Sequence, residues 1–278
     1  MTISGTHTMF ERSRKVEDTK IQWVGNTFNP WIGCTKVGPE CDFCYADKEN
    51  KQRRGGMNWG PGAPRSKTGD SIWKAPYNWN RHAAEGGFRH TVFLGSLMDF
   101  FDREVDDAGW RDDAWQVIRE TPHVDWLVLT KRPNMILDRL PADWNGGYKN
   151  VWLGTSVGMR ETCWRIQRLL QVPARLHWIS NEPMLNPYSL KEACAGAEYP
   201  LRWVIFGGES ESKEKARPCH VEWIEEGLNE CRELGITPFV KQLGTNPFYK
   251  GTLMKLKSHK GGEMTEWPEH VRVREFPI

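Results

Sequence analysis

Short apolar runs recur along this chain at a steady interval, and that recurrence limits the possible folds more than any other feature. The runs are TVFLGSLMD (91–99), DWLVLTKRP (125–133), VWLGTSV (151–157), LHWISNEP (176–183), WVIFGGES (203–210) and PFVKQLG (238–244). Each is short, non-alternating and closed by polar or breaking residues, as a strand buried on both faces must be. Their central residues Leu94, Val128, Leu153, Trp178, Ile205 and Val240 lie 25 to 35 positions apart. That interval accommodates one strand, one helix and two loops, the βαβ repeat of about 30 residues. The intervening segments 106–120, 160–171 and 221–235 carry apolar residues at helical spacing, and Gly235 supplies a stop for the last.

With a first strand near NTFNPWIG (26–33), about six to seven strands alternate with helices. The expectation is an α/β chain with a parallel sheet, either open and doubly wound or a (βα) partial or full TIM-like barrel. The strand ends favour the barrel, which spreads its chemistry over the carboxyl ends of many strands rather than over one switch point. Here the exits are Ser96 and Asp99, Thr130 and Lys131, Thr155 and Ser156, Asn181 and Glu182, Glu209 and Ser210, and Lys241 and Gln242.

The 278 residues suffice for one large or two small domains, and no apolar run approaches the ~20 residues that cross a membrane. Residues 1–20 lack the apolar centre of a secretory signal and read as a polar tail. The barrel is expected over 21–246, with a carboxyl-terminal extension over 247–278. A cytoplasmic location follows, and seven cysteines, an odd number, then point to thiols or metal ligands rather than disulfides. The net charge of +2 excludes a globally basic nucleic-acid coat but not a local basic channel. Residues 51–80 interrupt the repeat with Gly, Pro, basic residues and Trp and show no period. They read equally as a surface insertion or as a cover in which Arg53, Arg54, Trp59, Arg65, Lys67 and Trp73 meet a phosphate-bearing base. Lys131 and Lys241 are further phosphate candidates.

Cys34, Cys41 and Cys44 crowd into GCTKVGPECDFCYADK (33–48), directly after the first strand. A structural zinc site closes a tetrahedron with four Cys or His ligands, and no His lies between positions 8 and 81. A three-thiolate iron–sulfur cluster needs no fourth protein ligand. Cys163 and Cys231 fall on apolar helix faces and read as core thiols; Cys194 has no partner pattern, and Cys219-His220 reads as structural or capping rather than as a distant ligand, because adjacent side chains point apart.

The stretch Cys41-Asp42-Phe43-Cys44 resembles the Cys-x-aromatic-Cys half of the radical S-adenosylmethionine (SAM) motif, although six residues rather than three precede the second cysteine. From IQWVGNTFNPWIGCTKVGPECDFCYA through WLVLTKRP, VWLGTSV, WVIFGGES and KQLG, the chain resembles the phage gene-product thirty-seven/sixty-eight family, a radical-SAM-like group of unknown function. The resemblance implies a barrel of the radical SAM type and a [4Fe-4S] cluster on Cys34, Cys41 and Cys44. It also implies SAM on the fourth iron, cleaved to a 5′-deoxyadenosyl radical for hydrogen abstraction from a substrate, with a reductant such as flavodoxin or ferredoxin as partner. Ser96 and Asp99 stand where such enzymes hold the SAM amino group, without the usual Gly-Gly-Glu. Thr155 and Ser156 become candidates for the ribose, and Asn181 and Gln242 for cofactor or substrate. Lys131, Glu182 and Glu209 are the catalytic candidates. The candidate substrate is a nucleotide or nucleic acid. The competing expectation is a non-catalytic zinc barrel that binds nucleic acid through 51–80.

Overall fold

The computed structural model describes residue 19 and residues 21–277. The expected polar tail lies outside the described residues except for Thr19. Seven strands form one sheet: β1 (Asn26–Phe28), β2 (His90–Leu94), β3 (Val124–Thr130), β4 (Val151–Ser156), β5 (Leu176–Asn181), β6 (Leu201–Gly207) and β7 (Thr237–Gln242). Their order in the sheet is their order in the chain. β1 with β2, β2 with β3, β5 with β6 and β6 with β7 pair in parallel. A doubly wound sheet must reverse direction at a switch point, and this one never does. The chain is therefore a mixed α/β protein with the strand order of a partial TIM-like barrel. Among the described residues, no helix is long and apolar enough to cross a membrane.

The strands form where the sequence placed them because they are buried on both faces. Val92, Leu94, Leu127, Val128, Leu153, Trp178, Ile179 and Ile205 are fully buried. Helices α3 (Trp110–Glu120) and α5 (Val221–Leu234) follow the apolar spacing, and Gly235 caps α5 at φ 65 in the left-handed region. The expected helix over 160–171 is shorter: a 3-10 turn, Arg160–Thr162, precedes α4 (Trp164–Leu169).

The aperiodic reading of 51–80 is overturned. α1 (Tyr45–Arg54) enters the segment, and α2 (Asp70–Gly86) runs through its end and beyond. Trp73, Pro76, Asn80 and Ala83 form the helical stripe, with Pro76 and Ala83 buried. Pro76 disguised this period, since proline inside a helix removes a hydrogen bond and reads as a breaker. Between the helices, Ser66–Lys67 pairs antiparallel with Trp31–Ile32.

The chain divides into two compact units. The first comprises residues up to Thr35, Tyr45–Leu129 and Arg139–Trp152; the second comprises Lys36–Cys44, Thr130–Asp138 and 153–277. Within the second, residues 271–275 cover the free edge of β7. The Val240 amide donates to the Val273 carbonyl at 2.7 Å, and Arg274 donates to the carbonyls of Val240 and Lys241. Trp267 and Val271 are buried beneath, so an otherwise open strand edge is closed by the chain's own end.

Candidate functional site

The second unit holds the loop Lys36–Cys44, and two arginines fasten it. From within, Glu40 is buried together with Arg165: one Glu40 oxygen accepts from Arg165 at 3.0 Å, from the Thr162 hydroxyl at 2.7 Å and from the Gly158 amide at 3.2 Å. Arg165 also donates to the Ser156 carbonyl at the end of β4. Burial alone would raise the Glu40 carboxyl, but the Arg165 charge and these hydrogen bonds outweigh it and hold the group below its ordinary value. The backbone packs closely at two glycines. A Cβ on Gly38 would lie 2.6 Å from the second Glu40 oxygen, and one on Gly158 would lie 2.3 Å from the Pro183 carbonyl.

From outside, Arg217 donates from Nε to Glu209 at 3.0 Å and from Nη1 to the Pro39 carbonyl at 3.0 Å. Its Nη1 lies 3.5 Å from Asp42, and its guanidinium carbon 5.2 Å from the centre of the Phe43 ring. Glu209 also caps the Arg217 backbone amide. Cys41 is buried and Cys44 half-buried, with the Cys44 amide turned onto the Cys41 carbonyl at 3.4 Å. Arg217→Ala is expected to loosen this loop, so that Cys41 and Cys44 of the metal-free protein alkylate at least several-fold faster than in the parent. Unchanged labelling rates would show that Glu40 alone suffices.

In the first unit, Cys34 is half-buried, and its carbonyl accepts from the Gly60 amide at 2.9 Å. Asn29 organises the neighbouring turn: its Nδ2 donates to the Ser96 hydroxyl at 2.8 Å, and its Oδ1 accepts from the Leu97 amide at 2.7 Å. No disulfide joins any of the seven cysteines. Burial pushes the thiols of Cys163, Cys219 and Cys231 up to about 12 and that of Cys194 up to about 11, which keeps these four protonated at neutral pH, as core thiols are. Among the described residues, no three His, Cys, Asp or Glu side chains converge as they would around a single metal ion.

The sequence profile of one family matches residues 18–270, nearly the whole chain. The chain belongs to the family described as protein of unknown function (DUF5131). No curated protein and no solved structure gives a significant match. The DUF5131 description assigns no activity, so the radical-SAM and phage resemblance gains nothing from it.

In this DUF5131 chain the other expected site residues divide into two groups. Glu182 and Gln242 meet at the ends of β5 and β7, and Asn181 is the last residue of β5. Lys241 grips both Glu182 oxygens at 2.7 and 2.9 Å, and Gln242 donates to Glu182 at 3.1 Å and to Ser210 at 2.8 Å. Asn181 is buried with its Oδ1 unpartnered, an acceptor turned inward with nothing to accept. Lys131 follows β3 and is half-buried.

The remaining candidates are engaged in structure. The Thr155 hydroxyl donates to the Thr130 carbonyl at 2.8 Å, and Asp99 accepts from the Phe101 amide at 3.0 Å. Ser156 is buried and offers its carbonyl to Arg165. Glu209 is held by Arg217, which makes it a positioning residue for the cysteine loop rather than a free carboxylate. Arg65 is not a loop cation awaiting phosphate. Its guanidinium is buried, donates from Nε to Asp102 at 2.9 Å and also reaches the Thr35 hydroxyl at 2.8 Å. Lys67 pairs with Asp113 at 2.8 Å, and Lys241 with Glu182, so neither is a free phosphate ligand. Sequence reasoning missed Glu40, Arg165, Arg217 and Asn29. Arg165 alone left a trace, as a charge between apolar helix positions.

Proposed function

We propose that this chain is a radical SAM-type iron–sulfur enzyme in which Cys34, Cys41 and Cys44 hold a [4Fe-4S] cluster. The observation that carries the reading is the fastening of Lys36–Cys44 by Glu40–Arg165 and Glu209–Arg217. A metal-binding loop whose position is fixed by protein contacts offers its thiols without needing the metal to fold it.

The donor set fits the group. Three thiols and no interposed histidine form a soft, sulfur-only set of the kind iron–sulfur clusters take. A cluster receives each thiolate through a different iron, so its ligands need not converge on one point as those of a single ion must. Bound there with SAM, such a cluster would supply the electron that cleaves the sulfonium and so a 5′-deoxyadenosyl radical for hydrogen abstraction. The chain's own residues do the rest. The unpartnered Asn181 oxygen suits a hydroxyl or ammonium donor, and Glu182, the next residue, offers a carboxylate oriented by Lys241 and Gln242. Asn29 sets the turn that carries Ser96. A nucleotide or nucleic acid is the proposed substrate class, with Arg54 as an exposed cation of segment 51–80 and Arg53, also exposed, paired with Glu49 at 3.1 Å.

Anaerobic purification tests the reading. About four iron per chain and brown colour are expected. The reduced protein supplied with SAM is expected to release methionine and 5′-deoxyadenosine. Stoichiometric zinc in place of iron would favour the non-catalytic zinc reading, and intact SAM over a reduced cluster would remove the radical chemistry.

A further inference from the structure

Helix α1 begins at the residue after Cys44 and has an unusual buried face. An amphipathic helix normally turns large apolar side chains inward. Here the buried residues are Ala46, Asp47 and Asn50 only. Asp47 and Asn50 stand three positions apart, on one side of the helix, and are 4% and 3% exposed. Lys51 takes Asp47 Oδ2 at 3.0 Å, but Asp47 Oδ1 has no partner, and neither does Asn50 Oδ1 or Nδ2. The count holds whichever way the Asn50 amide is turned, because both of its ends are empty. At the amino end of the helix, the Tyr45 hydroxyl donates to the Ser96 carbonyl at 2.6 Å, which ties α1 to the loop leaving the carboxyl end of β2.

Burying polar atoms without partners destabilises a fold, so such atoms persist where something else meets them. The vacant set is two acceptors and one donor. A cation would satisfy the oxygens and leave the Asn50 amide protons unmet. An exocyclic amine beside a ring nitrogen satisfies all three: its two N–H groups reach Asp47 and Asn50 oxygens, and the ring nitrogen accepts from Asn50 Nδ2. Asparagine recognises adenine through this pairing. We propose that Asp47 and Asn50 form a binding site for an amino-bearing nucleobase edge, as in adenine or cytosine. The site does not rest on the iron–sulfur reading, and the base could arrive on a cofactor or on a substrate.

Titration calorimetry of the full-length protein with adenosine and inosine decides the matter, since the two differ at the exocyclic amine. Adenosine is expected to bind and inosine to bind at least about tenfold more weakly. Asn50→Leu should weaken adenosine to a similar degree and raise the melting temperature of the ligand-free protein, because it removes an unmet carboxamide. Asp47→Asn should weaken adenosine with less effect on stability. Adding S-adenosylhomocysteine and cytidine shows on which molecule the base is carried, and binding of either supports the site. Equal binding of adenosine and inosine, or no binding of any of these, overturns it. So does an Asn50→Leu protein that melts lower and binds as before, since the amide would then be met by buried water alone.

Discussion

Cys41→Ala protein, reconstituted anaerobically with iron and sulfide, is expected to retain almost no cluster iron while its far-ultraviolet circular dichroism matches the parent. Cys34→Ala and Cys44→Ala should behave alike. The first half follows from the three-thiolate set: with two thiolates left, the cluster lacks a ligand, and the segment between positions 8 and 81 holds no His to replace it. The second half follows from the anchoring of the loop, because Glu40 and Arg217 hold Lys36–Cys44 whether or not metal is present. Cys163→Ala and Cys231→Ala should keep their iron, since those thiols are raised to about 12 by burial and remain protonated. Full iron content in Cys41→Ala would disprove the tripod.

Glu40→Ala should cost the fold about 3–5 kcal/mol in urea or thermal unfolding at pH 7. The cost reflects less the loss of a favourable pair than the Arg165 charge left buried and unmatched. Glu40→Gln keeps the shape and an acceptor for Gly158 and Thr162 but still strands Arg165, so it should recover only part of the loss. The pH dependence follows the same group. Its carboxyl is held below the ordinary value of 4.5 in the folded chain, so the unfolded chain binds the proton more readily. The stabilisation is complete above pH 4.5 and is lost as pH falls below 4.5 and through the folded-state value. The Glu40→Gln protein should lack that component of the acid transition. If Glu40→Ala unfolds within 1 kcal/mol of the parent, the buried pair is not what fastens the loop.

Much of the strand framework was legible in the sequence, because a strand buried on both faces writes itself as a local apolar run. Leu94, Val128, Leu153, Trp178, Ile205 and Val240 all proved to be core strand residues. The choice of a barrel-like order over a doubly wound one also came correctly from the chain, through six polar strand ends, and the strand order agrees. α2 was hidden because Pro76 masked the stripe from Trp73 to Ala83. Residues 247–278 read as an extension because Lys250, Lys255, Lys257 and Lys260 suggest a solvated face, whereas Trp267 and Val271 are buried and the Val273 carbonyl pairs with β7.

The sequence by itself determined the periodic βα framework and the three crowded thiols, since both are written in local spacing. Only the tertiary structure decided which polar residues are free to act. Glu40 lies 125 positions from Arg165, Arg217 178 positions from Pro39, and Lys241 59 positions from Glu182. No local pattern records such pairings, because a charge is positioned by whichever partner the fold brings within about 3 Å, not by its neighbours in the chain. That is why Arg65 read as a cation for phosphate and is a buried partner of Asp102. It is also why Glu209 read as a catalytic candidate and is the anchor of Arg217.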